Sequence, residues 1–287
     1  MDSLSLKIVL LAVLQGVTEF LPISSKGHEA VVQYLLGIRD DNLLITIVLH
    51  GGSLLAIIVF YARDLLALTR RENWRSLGLL ACGTLPLVVL GLPLKRLAEH
   101  LATNLWVTAG GFAATATLLL LLYRRSEAKA TLPAVTWADA LWVGGIQCVA
   151  AVVPGLSRSG STISLAGRRG LTPETAARFS FLLAVPAIVG ALLLEGKSLL
   201  TGPRPAVSLG LLGLGAAVSF AVSLAALVLL ISLLRRGRFA AFGYYCIAAA
   251  VVALALAAHR QFSTGSQQVG RDAPRPGYEQ PIAEGQP

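Results

Sequence analysis

Charged residues are scarce in this 287-residue sequence. Asp, Glu, Lys and Arg make up 14% of it, whereas hydrophobic residues make up 55%. Soluble domains carry about 25% charged residues, so the composition excludes a water-soluble globular protein with an ordinary surface. A chain of this length has room for several apolar helices of about 20 residues, the length that crosses a bilayer. The composition therefore predicts an integral membrane protein.

Cysteine is also sparse, and its spacing is irregular. Cys82, Cys148 and Cys246 lie singly inside apolar stretches, which argues against a disulfide framework and against a cysteine-based metal site. The first apolar run continues to Gln15 and Glu19 with no small-residue cleavage site. We therefore expect this run to stay in the mature protein.

Six long apolar runs are present, and each is long enough, or nearly so, to cross about 30 Å of hydrocarbon as a helix. They lie at about 43–62, 77–94, 105–123, 176–194, 207–234 and 239–258. Two further apolar stretches, 4–36 and 138–165, are interrupted by proline, glycine and hydroxyl residues. Irregular backbone at membrane depth is tolerated only where protein shields it or where it lines a water-filled cavity. We interpret both stretches as re-entrant helical hairpins.

The two interrupted stretches share a spacing. In each, a glutamine is followed seven residues later by a proline and ten residues later by a serine, and the two copies are 132 residues apart. Three predicted spans follow each copy, so the second copy enters the membrane from the opposite face. The predicted fold is an all-α polytopic membrane protein with an inverted-topology repeat, each half being a re-entrant hairpin plus three transmembrane helices. The halves cover about 1–125 and 135–258 of a single integral-membrane domain, and we predict a disordered tail over 260–287, which is rich in Gln, Gly and Pro.

Basic residues outnumber acidic ones, 24 to 15. They cluster between the apolar runs, and no aromatic residue lies beside the arginine that interrupts the second stretch, within residues 153–162. This pattern favours membrane lipids as partners and argues against nucleic acid. Thirteen basic residues fall on one predicted side and seven on the other, leaving out the hairpin tip and the tail. The positive-inside rule makes the first side cytoplasmic, so both termini are predicted to lie outside.

The first break contains an acid, two hydroxyls and an imidazole. Gln15 and Glu19 are four residues apart on a predicted helix and therefore share a face. A carboxylate inside an apolar segment is a functional candidate, although an arginine partner with a purely structural role would also explain it. Ser24, Ser25 and His28 suit a nucleophile with its base, or anion binding. Hydroxyls that only cap a short helix are the alternative.

The second break contains Arg158 among hydroxyl residues. The planar guanidinium suits bidentate contact with phosphate oxygens, and pairing with Glu19 across the repeat interface is the structural alternative. Hydroxyls and free backbone N–H groups at a helix start add anion donors. The sequence has no P-loop and no dinucleotide-binding fingerprint. This set suits a phosphate ester or a diphosphate in or beside the bilayer; its hydroxyls are Ser157, Ser159, Ser161 and Thr162.

At these residues the sequence resembles the undecaprenyl-diphosphate phosphatases, the bacterial bacitracin-resistance family. The family's two motifs match residues 15–28 and 154–162, the stretch 179–186 is also similar, and the resemblance covers about 4–258. It implies hydrolysis of a C55 isoprenoid diphosphate lipid to the monophosphate and inorganic phosphate at the outer side of the bacterial cytoplasmic membrane. That reaction recycles the lipid carrier of peptidoglycan synthesis and gives bacitracin resistance. Whether the protein forms a homodimer is left open.

The resemblance and the chemistry together give each residue an expected role. Glu19, with Gln15, is expected to bind a divalent cation, Mg²⁺ or Ca²⁺. Ser25 is the expected nucleophile and His28 its general base, and direct attack by His28 is the alternative. Arg158 is expected to hold the diphosphate, together with Ser24, Lys26, Ser157, Ser159, Ser161 and Thr162.

Two positions depart from the family pattern, and two other functions compete. Gln15 stands where many members have Glu, and Lys26 stands where Thr or Ser is usual. The type-2 phosphatidic acid phosphatases are rejected, because their second motif needs a His where this chain has Ser164. A transporter or flippase for a polyprenyl (di)phosphate lipid is the alternative function, because broken helices in inverted repeats are typical of transporters.

The charge bias makes a prediction about topology. Single cysteines placed at Arg70 and at Lys197, in a variant without the three native cysteines, should react with a membrane-impermeant reagent from opposite faces. Arg70 should be labelled from the cytoplasmic face. Labelling of both positions from one face would contradict the inverted repeat.

Overall fold

The computed structural model describes residues 3–36, 43–123, 129–201 and 207–272, and side chains within 4–35, 43–123, 129–196 and 207–261. These residues form helices and short turns, and no strand occurs in the described ranges. The eleven helices found there are α1 (Ser3–Phe20), α2 (Ser25–Leu36), α3 (Leu43–Phe60), α4 (Ala62–Leu68), α5 (Trp74–Ala102), α6 (Leu105–Thr117), α7 (Trp137–Val152), α8 (Arg158–Arg168), α9 (Pro173–Thr201), α10 (Leu209–Arg235) and α11 (Ala240–Asp272).

Six helical segments are long and apolar enough to cross a membrane, which confirms an all-α polytopic membrane protein. They are Leu43–Phe60, Arg71–Ala102, Leu105–Leu122, Pro173–Gly196, Leu209–Arg235 and Ala240–Gln261. Each overlaps one predicted run. The segment 71–102 is longer than predicted because the helix continues through Pro86 and Pro93.

The last helix corrects one boundary. The tail was predicted to begin at residue 260, but α11 continues to Asp272. Residues 273–287 lie outside the described residues. So do four of the basic residues counted for the topology, namely Arg39, Arg124, Arg125 and Arg204.

The two interrupted stretches each fold as a pair of helices joined by a short irregular segment. Helix α1 ends at Phe20 and α2 begins at Ser25, whereas α7 ends at Val152 and α8 begins at Arg158. Each break contains a proline, Pro22 in the one and Pro154 in the other. Proline interrupts a helix because it lacks the backbone N–H and its ring clashes with the preceding turn. We call residues 21–24 the first break and residues 153–157 the second break. The inverted relation between the halves stays a prediction.

Helix packing brings the two halves together. Helix α1 packs on α10, α7 packs on α5, α3 packs on α10, and α6 packs on α11. A buried core of aromatic and aliphatic side chains lies between these layers, with Phe20, Phe179, Phe181 and Ile163 almost fully excluded from the surface. The two breaks lie against this core.

One ion-pair network ties the start of α7 to the loop before it and to the end of α8. The Asp139 carboxylate accepts hydrogen bonds from Lys129 Nζ at 2.5 Å and from Arg169 Nε at 2.8 Å. It also closes a capping box with Thr136. Burial alone would raise the pKa of Asp139, but the hydrogen bonds from Lys129, Thr136 and Arg169 outweigh it and lower the pKa to about 2. This carboxylate fixes the entry to the second hairpin.

Candidate functional site

The two breaks touch each other in the interior. Ser159 Oγ, at the start of α8, donates to the carbonyl oxygen of Leu21 in the first break at 3.2 Å. A Cβ built on Gly160 would lie 3.1 Å from the Pro22 side chain. Buried backbone groups need partners because an unsatisfied one costs about 1–3 kcal/mol. The start of α8 therefore supplies a hydrogen bond that the first break needs.

Glu19 is the centre of this junction. Its Oε1 accepts from Arg158 Nη2 at 2.5 Å. Its Oε2 accepts from Ser25 Oγ at 2.9 Å and from Gln15 Nε2 at 3.1 Å. Both Glu19 and Gln15 are 9% exposed, so this carboxylate depends on these three donors for its stability. The last turn of α1, the first residue of α2 and the first residue of α8 thus converge on one group.

Arg158 uses only part of its hydrogen-bonding capacity. One terminal nitrogen holds Glu19, whereas Nη1 is buried and has no hydrogen-bond partner among the described residues. The pairing with Glu19 is the structural alternative that the sequence had suggested for this arginine. A buried guanidinium N–H without a partner is costly, and a phosphate oxygen would satisfy it. Both roles are therefore compatible with this geometry.

The structure does not pair Ser25 with His28, as the predicted nucleophile and base require. His28 Nδ1 lies 2.8 Å from the carbonyl oxygen of Ser24, and His28 Nε2 lies 2.6 Å from Tyr245 Oη on α11. Ser25 Oγ donates to Glu19 instead. Ser25 and His28 both lie in the first turn of α2, yet the Ser25 hydroxyl reaches Glu19 on α1 whereas the His28 ring reaches Tyr245 on α11. Ser24 stands directly before this turn. Its φ of 69° is in the left-handed region, which is uncommon for a residue with a side chain.

Ser24 and Lys26 serve the junction of the helices. Ser24 Oγ accepts from the backbone N–H of Gly27 at 3.3 Å, as a capping hydroxyl does. Lys26 Nζ donates to the carbonyl oxygen of Ala151, near the end of α7, at 2.8 Å. A cation on the first hairpin is therefore bound to the second hairpin. Among the described residues, no hydrogen bond joins Ser24 or Lys26 to Glu19.

The hydroxyls at the end of the second break and in the first turns of α8 are mostly used within the protein. Ser157 Oγ caps α8 by accepting from Gly160 N at 3.1 Å, and Thr162 Oγ1 donates to the carbonyl oxygen of Arg158 at 2.8 Å. Ser159 is bonded to the first break, as described above. Ser161 Oγ is buried without a partner among the described residues. Of the four hydroxyls predicted to bind substrate around Arg158, Ser161 is thus the one without a hydrogen-bond partner in the described part of the chain.

Thr115, on α6, is a residue that the sequence analysis missed. Its hydroxyl donates to the carbonyl oxygen of Gly155 at 2.9 Å and accepts from the backbone N–H of Ser157 at 2.8 Å. It thereby satisfies a donor and an acceptor of the second break. Gly111, one turn earlier, allows this approach, since a Cβ there would lie 2.1 Å from the Pro154 carbonyl oxygen. A threonine in an apolar helix gives no sequence signal for such a role.

A cavity between α1, α2 and α3 opens onto the junction. Gln15 and Ser25 line it, together with Glu29 and His50. His50 Nδ1 lies 2.9 Å from the carbonyl oxygen of Thr46 in its own helix. The sequence analysis did not place Glu29 or His50 at the site, because both lie outside the two motifs at residues 15–28 and 154–162.

The donor set does not fit a resident metal ion in this arrangement. The carboxylate of Glu19 lies within the junction and that of Glu29 in the adjoining cavity, and the oxygens of Glu19 accept from three donors, one of them a guanidinium. Gln15 offers Glu19 its amide nitrogen rather than an oxygen to a cation. No group of three or more His, Cys, Asp or Glu side chains suited to a metal occurs in the described part of the chain. Hard divalent ions need several oxygen ligands, so binding here would require the Arg158 pair to open.

These features define a class of protein. It is a polytopic membrane protein in which two broken helical segments meet at a buried carboxylate–guanidinium pair, with a hydroxyl on the carboxylate and an unused guanidinium N–H beside it. A buried guanidinium N–H without a partner is chemically suited to an anion such as phosphate.

The comparisons then identify the family. The family model described as Bacitracin resistance protein BacA matches residues 8–252, and the chain belongs to this family. It is 39% identical over 253 residues to an undecaprenyl-diphosphatase of Rhodopirellula baltica, covering 88% of this chain and 97% of that one. A second undecaprenyl-diphosphatase, from Myxococcus xanthus, is 33% identical over 296 residues, covering 98% and 95% of the two chains. The resemblance seen in the motifs is confirmed.

The role of Thr115 makes a prediction. Thr115→Val keeps the shape but leaves the Ser157 N–H and the Gly155 carbonyl without this partner, so it should lower the free energy of unfolding by about 1–3 kcal/mol. Thr117→Val is the matched control, because Thr117 is exposed on the same helix and its hydroxyl donates to the carbonyl oxygen of Ala113 within that helix. Thermal melting in detergent should separate the two variants. Equal melting temperatures would contradict the proposed support of the second break.

Proposed function

We propose that this protein hydrolyses an undecaprenyl diphosphate, a C55 isoprenoid diphosphate lipid, to undecaprenyl phosphate and inorganic phosphate. Two relatives named undecaprenyl-diphosphatase match this chain over nearly their whole length. The observation that carries the proposal at the site is Arg158, which holds Glu19 with one nitrogen and has a second, buried nitrogen without a partner. An oxygen-rich anion would satisfy that nitrogen. The reaction recycles the lipid carrier of peptidoglycan synthesis, and bacitracin resistance follows from it.

In the first step we assign the attack to Ser25 Oγ and the proton to Glu19. The Ser25 hydroxyl already donates to Glu19 Oε2 at 2.9 Å, as proton transfer requires. Glu19 is a weak base while Arg158 neutralises it. A terminal phosphoryl group bound by Arg158 competes for that guanidinium, so Glu19 becomes a better proton acceptor when substrate is present. Substrate binding and activation of the nucleophile are then coupled through one arginine.

The bonds of the first step balance as follows. Ser25 Oγ forms a bond to the terminal phosphorus, its proton passes to Glu19, and the bond from that phosphorus to the bridging oxygen breaks. The leaving group is the lipid monophosphate, which carries the bridging oxygen away. The charge that builds on the phosphoryl oxygens is stabilised by Arg158, which is the larger contribution in phosphoryl transfer.

In the second step water attacks the phosphorus of the seryl phosphate and the bond to Ser25 Oγ breaks. The serine oxygen recovers the proton held by Glu19, and inorganic phosphate leaves. The attacking water must lose a proton, and His28 is the imidazole nearest in sequence to the nucleophile. This scheme replaces the predicted Ser25–His28 pair with a Ser25–Glu19 pair and moves His28 to the water step.

The predicted inverted repeat is supported by the helix contacts. In the predicted repeat, α1 corresponds to α7, α5 to α10 and α6 to α11. Exchanging the two halves then turns the contact of α1 with α10 into the contact of α7 with α5. Both contacts are present. The contact of α6 with α11 maps onto itself. A two-fold exchange of the halves accounts for these contacts.

The same exchange appears in the side chains. Lys26 and Arg158 are 132 residues apart, and so are Glu19 and Ala151. Arg158 bonds to Glu19, and Lys26 bonds to the carbonyl oxygen of Ala151. Each cation therefore reaches from its own hairpin to the equivalent position of the other hairpin. We propose on this basis that Lys26 places a second positive charge beside the diphosphate.

We also propose that both termini and the site face outward from the bacterial inner membrane. The excess of basic residues on the predicted cytoplasmic side supports this orientation.

The divalent cation stays a prediction. Mg²⁺ and Ca²⁺ bind phosphate oxygens readily, and the protein side chains at the junction are already engaged. A cation is therefore expected to arrive with the diphosphate as part of the substrate. Assays with Mg²⁺, Ca²⁺ or a chelator test this expectation.

The proposed activity is tested with purified protein and C55 diphosphate in detergent. Wild-type protein should release inorganic phosphate, whereas a transporter or flippase would release none. Arg158→Lys keeps the charge but loses the planar fork that serves Glu19 and phosphate together, so it should lower kcat/KM by about a hundredfold or more. Turnover close to wild type in a folded Arg158→Lys protein would show that a simple positive charge is sufficient.

The attacking group is tested by Ser25→Ala. Loss of a nucleophile should lower turnover by a thousandfold or more, whereas loss of one binding hydroxyl should cost about tenfold. Gel filtration and thermal melting should show that the variant is folded. A Ser25→Ala protein within about tenfold of wild type would exclude serine as the nucleophile and favour attack by His28 or by water.

A further inference from the structure

Tyr245 is bound to His28 although nothing in the sequence motifs points to it. The Tyr245 hydroxyl oxygen lies 2.6 Å from His28 Nε2, and the two rings are stacked with centroids 5.6 Å apart and planes inclined by 14°. Phe112 on α6 contacts the imidazole from another side, edge to face, at 5.2 Å. Three helices, α2, α6 and α11, thus fix the orientation of one imidazole ring.

The partner of the other ring nitrogen determines which nitrogen carries the proton. The Ser24 carbonyl oxygen, 2.8 Å from His28 Nδ1, can only accept a hydrogen bond, so Nδ1 must carry the hydrogen. In the neutral ring the lone pair is then on Nε2. The Tyr245 hydroxyl is therefore the donor to Nε2. Any further proton that His28 takes must arrive at Nε2, which is the position that the Tyr245 oxygen occupies.

We infer that Tyr245 is a positioning residue for His28 and the route by which a proton reaches its Nε2. This inference rests on the proposed function, in which His28 takes the proton of the attacking water. That proton passes to Tyr245 Oη while the phenol proton passes to Nε2, so the tyrosine is neutral before and after the transfer. In the imidazolium the hydrogen bond reverses, with Nε2–H donating to Tyr245 Oη. Such a charge-assisted bond is stronger than the neutral one.

The surroundings hold Tyr245 in this place. The neighbouring Cys246 is fully buried, and its Sγ donates to the carbonyl oxygen of Pro22 in the first break at 3.6 Å. Tyr245 and Cys246 therefore join α11 to His28 and to Pro22, which lie on either side of Ser24 and Ser25. Tyr244 is more exposed than Tyr245, at 67% against 47%, and no hydrogen bond or ring contact joins it to the described residues of the site. An exposed tyrosine on a membrane helix is an ordinary interface residue, so Tyr244 serves as the reference.

The experiment compares Tyr245→Phe with Tyr244→Phe in full-length protein. Tyr245→Phe keeps the stacked ring and removes the hydroxyl, so kcat for phosphate release should fall at least fivefold while KM changes by less than twofold. Tyr244→Phe should leave both constants unchanged. A second arm uses protein labelled with ¹⁵N-histidine, in which the Nε2 signal of His28, assigned with His28→Asn, should shift in Tyr245→Phe and not in Tyr244→Phe. A purely structural role would change the melting temperature instead of kcat alone.

Several outcomes would overturn the inference. A fall in kcat of less than fivefold in Tyr245→Phe excludes the proton route, and an equal fall in both variants shows a general effect of altering α11. An unchanged Nε2 signal excludes the hydrogen bond itself. If wild-type protein releases no phosphate, the proposed function is wrong and the inference is overturned with it, whereas an active wild type with an unaffected Tyr245→Phe overturns the inference alone.

Discussion

The ion pair between Glu19 and Arg158 is the interaction on which the rest of the structure depends. Each of these charges, buried alone in an apolar domain, would cost several kcal/mol, and even a paired one contributes stability only when its remaining hydrogen-bonding groups are satisfied. Gln15 and Ser25 satisfy the carboxylate, but the guanidinium keeps one N–H without a partner. The pair is therefore complete as a link between the hairpins and incomplete as a hydrogen-bonding site. That shortfall is what an anionic substrate would remove.

Two broken helices in the interior of an apolar helical domain require a particular kind of neighbour. A break exposes backbone N–H and C=O groups that lipid cannot satisfy, and here the partners come from the opposite hairpin and from α6. Ser159 satisfies Leu21, and Thr115 satisfies Gly155 and Ser157. Close contact is possible because Gly111 and Gly155 have no side chain at the crossing, and Gly155 adopts φ +82°. The irregular backbone that forms the site is thus stabilised by the same contacts that join the halves.

The sequence predicted what depends on local pattern and missed what depends on tertiary approach. The six apolar runs, the two breaks, and the shared face of Gln15 and Glu19 follow from hydropathy, proline and helical spacing, and the structure contains all of them. The bond between Ser25 and Glu19 was not predicted, because the left-handed conformation of Ser24 has no signal in a serine residue. Thr115 and Tyr245 reach the site from apolar helices in which a single polar residue is unremarkable. A helix that extends past residue 260 into a polar sequence was missed for the opposite reason, since composition there favoured disorder.

The two hairpins share the spacing of their Gln, Pro and Ser residues but carry different side chains at the site, and this difference accounts for a single site. The exchange that relates Arg158 to Lys26 relates Glu19 to Ala151, so an acid stands on one side only. At the equivalent position of the second hairpin a backbone carbonyl replaces the carboxylate and holds Lys26. A carbonyl partner leaves the ammonium with its full positive charge, whereas Glu19 neutralises Arg158 until an anion competes for it. The acid and the hydroxyl therefore come from the first hairpin, the guanidinium comes from the second, and the reactive constellation exists only where the two meet.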